Sequence, residues 1–435
     1  MASTTKRIAS GKASADRRET GPRNWCQPRI GRMIAHSGGS LPLCTISRLR
    51  APSAVNMVAD SSSDTPATDT APAASPASQQ SASRRRLALR RRLLFAAVAF
   101  LLALLLAEGI LRVYVALRGW TPNVYAAQLH LFRPHPENGY DLSPNFELRS
   151  GTFHISTNSF GLRGPEITAR KPQGTSRIVL IGGSAAFGYL VSDGNEAARL
   201  VERQLNESGS GPVEVLNAAV PGYNLFQSIV RFREVIAPLE PDYVVLYVGC
   251  NDVRYLVSDN PLATEQSRTF SVPAWERILG HSVLYGLVAY RLLGRRPDFG
   301  VGRRVQGEPT EEGVAAFRTN LEEIRQEARA AGASLVVCSQ ATASQMDVAE
   351  DLKIAVGDNE KDIARAALIF DTLKATLKEF ANQHGILFVD VEAVVPPTTE
   401  YLGDGIHLTE EGEQLFADEL AGALRQQLQS RPSEE

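Results

Sequence analysis

Read for its apolar spacing, the chain changes character three times. Residues 1–92 hold neither a helical nor a strand period, and Ser61 to Ser83 is built only of Ser, Ala, Pro, Thr, Asp and Gln. Such a segment buries too little apolar area to offset the entropy of ordering, so residues 1–92 are expected to form a disordered tail. Leu93 to Ala107 is then uninterrupted apolar sequence, extended to Leu117 with Glu108 and Arg112 as the charged interruptions. At about 1.5 Å per residue the longer stretch crosses a hydrocarbon core of roughly 30 Å, and the shorter one does not. Residues 93–117 therefore predict a membrane-spanning signal-anchor helix. Glu108 and Arg112, four apart with the acid first, can pair on one face near the interface.

From Arg177 the rhythm becomes strand and helix in turn. Short apolar, β-branched runs fall at Arg177–Ile181, Val213–Leu216, Tyr243–Val248, Ser334–Val337 and Ile386–Val391. Helical spacing fills Glu196–Leu205, Leu225–Ile236, Gly313–Ala331, Ile363–Gln383 and Glu410–Gln426. Continuous apolar strands separated by helices predict a parallel sheet covered on both faces, an α/β domain over residues 174–430. Residues 118–173 read as a lead-in with short extended pieces, such as the alternation at Phe153 to Ser156. Residues 254–310 break the rhythm as an insertion and candidate lid, with a helix expected over Ser282 to Leu293.

Charge sharpens the division. Of 46 Lys and Arg and 48 Asp and Glu, the first 92 residues hold 16 and 5, leaving an acidic excess for the rest. An acidic domain argues against a nucleic-acid partner, because phosphate contacts demand cationic side chains. Arg84–Arg86 and Arg90–Arg92 precede the apolar run and predict a cytoplasmic N-terminus with the α/β domain outside that membrane; Tyr114 and Trp120 suit the far interface. No Ala-x-Ala site follows the run (Ala97-Val98-Ala99 lies inside it), which favours an uncleaved anchor over a signal peptide. Met57, directly before the low-complexity stretch, is an alternative start to Met1. Cys26, Cys44, Cys250 and Cys338 lie too far apart for metal-ligand spacing; Cys250 and Cys338 each follow a strand and could be buried thiols or a pair. The histidines form no HExxH or clustered-carboxylate pattern, so neither metal nor cofactor is indicated.

In doubly wound sheets ligands bind where the chain leaves the carboxyl ends of the strands. Four such exits carry chemistry here. The first is Gly182-Gly183-Ser184, where glycines let the chain turn sharply and present a hydroxyl. Alone it equally fits a helix-capping serine; Gly38-Gly39-Ser40 in the tail shows how little the tripeptide means without a strand before it. The second exit offers Gly222, the third Gly249-Cys250-Asn251-Asp252, and the fifth Asp404-Gly405-Ile406-His407. A serine hydroxyl needs a base within hydrogen-bond reach, and an aspartate three residues before a histidine can orient that base.

Together, in this order, these segments resemble the four blocks of the SGNH hydrolases, also called the GDSL esterase/lipase family, over roughly Arg177 to Gln426. The resemblance implies a three-layer α/β/α, flavodoxin-like fold around a five-stranded parallel sheet. It makes Ser184 the nucleophile, Asp404 and His407 its partners, and Ser184, Gly222 and Asn251 the oxyanion-binding groups, with no cofactor. The departure is Gly183, where the family signature places an aspartate that is not a triad member. The anchor and lead-in are similar, more loosely, to those of membrane-anchored bacterial members. The implied activity is hydrolysis of carboxylic esters (O-acyl or O-acetyl) on an extracytoplasmic small molecule, glycan or lipid. Acyl transfer to envelope glycans through the same acyl-serine, and a non-catalytic envelope scaffold, are the alternatives. Asp252 is expected to support the third block structurally.

Overall fold

The computed structural model describes residues 76–118, 129–150, 153–261, 273–293, 307–343 and 360–430. Residues 1–75 of the expected tail, including both candidate start sites, lie outside it. Helix α1 runs from Pro76 to Arg118. Residues 76–92 are thus helical, and the aperiodic tail is shorter than its composition predicts. Ala, Gln, Arg and Leu are strong helix formers, so they prolong a helix that the apolar run begins. Within α1, Leu87–Arg118 holds an 18-residue window of mean hydropathy 2.6, no residue of which is fully buried by protein.

Two small antiparallel hairpins follow, β1 (Phe132–His135) with β2 (Gly139–Leu142) and β3 (Glu147–Ser150) with β4 (Phe153–Ser156). Then comes the expected alternation: β5 (Ser176–Gly182), the single turn α2 (Ser184–Phe187), α3 (Ala197–Glu207), β6 (Val213–Asn217), α4 (Leu225–Arg231) and β7 (Tyr243–Tyr247). A second half supplies α5 (Val253–Leu256), α6 (Ala274–Gly280), α7 (Val283–Gly286), α8 (Glu311–Ala330) and β8 (Ser334–Cys338). The chain closes with α9 (Glu360–His384), β9 (Leu387–Val389), α10 (Val391–Val394) and α11 (Glu410–Ser430). The insertion helix expected over Ser282 to Leu293 is α7, capped by the Ser282 side chain and continuing as a wider turn over Leu287–Leu292.

The five central strands are all parallel, in the order β6-β5-β7-β8-β9. Helix α3 packs with α11, and α4 packs with α8 and α8 with α9. Ile178, Val179, Leu180 and Ile181 are all buried, as a strand covered on both sides requires. In this order the chain reverses direction across the sheet between β5 and β7, the switch point at which such folds bind ligands.

The lead-in is an integral part of this unit. Leu131, Phe132, Tyr140, Leu142, Ile155 and Leu162 belong to the same apolar core as the sheet. Its Arg163 is fully buried and donates to the carbonyls of Phe187, Gly188 and Val191 at 2.6–2.7 Å, while its Nε meets Asp193 at 3.0 Å. Buried Asp141 of β2 pairs with Arg231 of α4. Cys250 and Cys338 are both free thiols; Cys338 stands opposite Tyr247 in the sheet, and burial pushes its thiol pKa well up.

Candidate active site

The first functional exit is shaped by crowding. Gly182 ends β5 at φ +151°, and a Cβ there would lie 2.1 Å from the Tyr247 carbonyl oxygen of β7. Only glycine fits, and the chain turns at once into α2 with Ser184 as its first residue. Gly183 has ordinary extended φ, but a Cβ on it would stand 2.4 Å from Asn251 Nδ2 and 2.9 Å from the Tyr223 carbonyl oxygen. The departure from the family signature is therefore a steric fact of this site: the first and third exits touch where the signature has a side chain.

The last exit is a tight loop closed by a bridge between Leu402 and Leu408. Asp404 Oδ1 accepts the backbone N–H groups of Ile406 at 3.2 Å and His407 at 2.9 Å, which rigidifies the turn. Its Oδ2 lies 2.5 Å from His407 Nδ1. The other ring nitrogen, Nε2, lies 2.6 Å from Ser184 Oγ, 223 residues away in sequence. With Nδ1 hydrogen-bonded to a carboxylate, Nε2 is left as the acceptor for the serine proton. Burial alone would raise the Asp404 carboxyl pKa. The hydrogen bond and charge of His407, with the two backbone donors, outweigh it and hold the group below its usual value. The ring of Tyr189 lies against His407, centroids 5.3 Å apart.

Asn251 points its amide at the same place and donates from Nδ2 to the Tyr223 carbonyl at 2.9 Å. Asp252 Oδ1 accepts the Leu225 N–H at 2.8 Å, tying the third exit to the start of α4 in a structural role. Gly222 adopts φ +85° in the loop that sets the Tyr223 carbonyl. A pocket of about 220 Å³ opens between these exits, lined by Ser184, Tyr223, Tyr247, Cys250, Asn251 and Gln340 among others. Gly222 itself is not among its lining residues. Gln340 is one of the lining residues, and its Oε1 accepts the Cys250 N–H at 2.7 Å.

Ser184, Asn251, Asp404 and His407 thus converge at one site, with Gly222 immediately behind it. Sequence reasoning missed Tyr189, Gln340 and Arg163, which act only through contacts across the fold. No described residue of the insertion lines the pocket; residues 262–272 and 294–306 lie outside the description. Among the described residues no group of three His, Cys, Asp or Glu side chains is placed to hold a metal.

A family model for the GDSL-like lipase/acylhydrolase family matches residues 180–415, more than half of the chain. Among solved structures, the chain is similar to a lipase/acylhydrolase from Enterococcus faecalis, at 19% identity over 59% of this chain and 100% of that one, TM-score 0.37. It is also similar to an acetylxylan esterase from Geobacillus stearothermophilus, at 16% identity over 57% and 94%, TM-score 0.37. A GDSL-like lipase from Bacteroides thetaiotaomicron matches at 17% identity over 58% and 88%, TM-score 0.34. No curated protein sequence matches the chain.

Proposed function

The chain belongs to the GDSL-like lipase/acylhydrolase family, and from that premise we propose that it cleaves esters through an acyl-enzyme formed on Ser184. One observation carries the reading: the unbroken relay from Ser184 Oγ through both ring nitrogens of His407 to Asp404 Oδ2. Ser184 Oγ attacks the ester carbonyl carbon as its proton passes to His407 Nε2. Asp404 stays ionised and stabilises the imidazolium. The tetrahedral intermediate places its negative oxygen toward the Ser184 and Gly222 N–H groups and the Asn251 amide. Collapse breaks the ester C–O bond, and His407 returns the proton to the leaving alcohol. Water then repeats the sequence, releasing the acid and restoring the serine.

The pocket beside Ser184 supports a short acyl group, because it is a small recess walled by Tyr223, Tyr247 and Gln340. An O-acetyl or similarly small ester on a glycan or other envelope molecule is the substrate class we assign. Helix α1 spans a membrane, with the Arg clusters on the cytoplasmic side and residues 129–430 on the other. The anchor and the α/β domain are then tether and enzyme.

The test uses the full chain in detergent with chromogenic esters of increasing acyl length, and a fluorophosphonate label. Turnover falling sharply beyond short acyl groups, with the adduct on Ser184, is the expected result. A folded protein that takes no label on Ser184 refutes the assignment. Adding an acyl-accepting glycan separates hydrolysis from transfer, since transfer yields acylated glycan instead of free acid.

A further inference from the structure

Residues 274–293 of the insertion are built inside out. Within α6, Trp275, Ile278 and Leu279 recur at helical spacing and are 49%, 71% and 42% exposed. After α7, Val288, Leu292 and Leu293 are 38%, 70% and 69% exposed. The inward side is instead small or polar: Gly280, Gly286, Ala289, Tyr290 and Glu276, whose Oε1 accepts the Tyr290 hydroxyl at 3.0 Å. A hairpin made for water would place its large apolar residues the other way round.

The same hairpin is bonded to α1. Glu108 Oε2 accepts the Ser282 hydroxyl at 2.8 Å and the Leu284 N–H at 2.9 Å, while Oε1 accepts the Val283 N–H at 3.1 Å. Arg112 donates from Nε to Glu108 at 2.7 Å and from Nη2 to the His281 carbonyl at 2.6 Å. Ala107, Glu108, Leu111 and Val115 form the half-buried face of α1, whereas Ile110, Val113, Tyr114 and Leu117 stay exposed. A helix of about 20 residues from Leu93, the length a bilayer core needs, ends near Arg112. Glu108 lies roughly 6 Å before that point at about 1.5 Å per residue. The contact fixes the hairpin at the depth of the membrane interface.

We propose that the outward faces of α6 and of the turns after α7 enter the outer leaflet of the bilayer that α1 spans. They form a second, in-plane membrane contact that sets the enzyme at a fixed height and orientation. The inference rests on α1 being a membrane anchor. The occupant is lipid because the hairpin that carries these faces is bonded to α1, whose own exposed surface is apolar, and Trp275 suits an interfacial depth. Glu108 takes a defined part: it satisfies the backbone donors at the start of α7, which would otherwise have no water at that depth.

The test is quenching of Trp275 in the full chain, with Trp25 and Trp120 replaced by Phe, reconstituted in phosphatidylcholine vesicles brominated on the acyl chains. Quenching by the brominated lipid with protection from aqueous iodide is expected. Ile278→Glu with Leu292→Glu should lose most of that quenching while hydrolysing a soluble short-chain ester at the unaltered rate. A chain that resists carbonate extraction yet shows Trp275 open to iodide and blind to bromolipid overturns the inference and leaves the anchor standing. Protection from both quenchers means that protein covers the patch, and overturns it too. Release of the chain by carbonate removes the anchor reading itself, a separate failure.

Discussion

Glu413 of α11 is fully buried beside the start of α3, where its Oε2 accepts the Ala197 N–H at 2.8 Å. Burial pushes its carboxyl up to about 8; the Ala197 hydrogen bond and the positive field of Arg163 pull it down only in part, and Glu196 raises it further. Glu196 is itself buried, and its carboxyl is raised chiefly by that burial. In the unfolded chain Glu413 loses its proton near the ordinary glutamate value; in the folded chain it keeps it to about 8. Between those limits the folded state holds the extra proton, so stability must fall as pH rises. The slope is about 1.4 kcal/mol per pH unit, giving about 5 kcal/mol across the window. Glu413→Gln is neutral at every pH and keeps the acceptor for Ala197. Chemical denaturation of the detergent-solubilised chain, followed by far-ultraviolet circular dichroism from pH 4 to 9, measures the difference between the two proteins. They should agree best at the acid end, and the variant should gain steadily on the parent up to about pH 8. A constant difference across that range refutes the burial of a neutral Glu413.

Four further outcomes test the site. Ser184→Ala should abolish turnover and fluorophosphonate labelling while leaving the denaturation midpoint close to the parent's. Asp404→Asn should lower kcat on the order of 10⁴-fold by favouring the wrong imidazole tautomer, as for other serine triads; a loss under tenfold would break the assigned relay. Asn251→Ala should cost roughly 10²–10³ in kcat as one oxyanion donor disappears, and unchanged kcat would move the oxyanion site elsewhere. Gly183→Asp, which restores the family signature, should also lower kcat, because its Cβ would need the space 2.4 Å from Asn251 Nδ2; steady-state kinetics with gain of activity would contradict the packing.

The sheet was readable because its strands are buried on both faces: Val244 to Tyr247 form an unbroken apolar run that no surface strand would show. Ser184 and His407, 223 residues apart and 2.6 Å from one another in the fold, both stand at strand exits, which a parallel sheet gathers at one edge; that these exits belong together came from the resemblance of their order to the family's blocks. What stayed hidden depends on particular long-range contacts. Arg163 looks like any loop arginine until the carbonyls of Phe187, Gly188 and Val191 surround it. The Glu108–Arg112 pair follows from helical spacing, yet the larger role of Glu108 at the start of α7 lies 174 to 176 residues away. Gln340 has no motif around it and matters only because β8 lies beside β7.

Arg163 redraws the boundary of the heritable module. A fragment cut at the start of the strand–helix alternation would keep every residue of the relay. It would nevertheless uncap three carbonyls in the turn after Ser184 and strip Arg231 of its acidic partner. The smallest portion that could be shuffled between proteins as a working enzyme therefore begins with the hairpins near residue 129, upstream of the stretch that family likeness marks out. For a recombination event or a protein engineer, the hairpins travel with the catalyst.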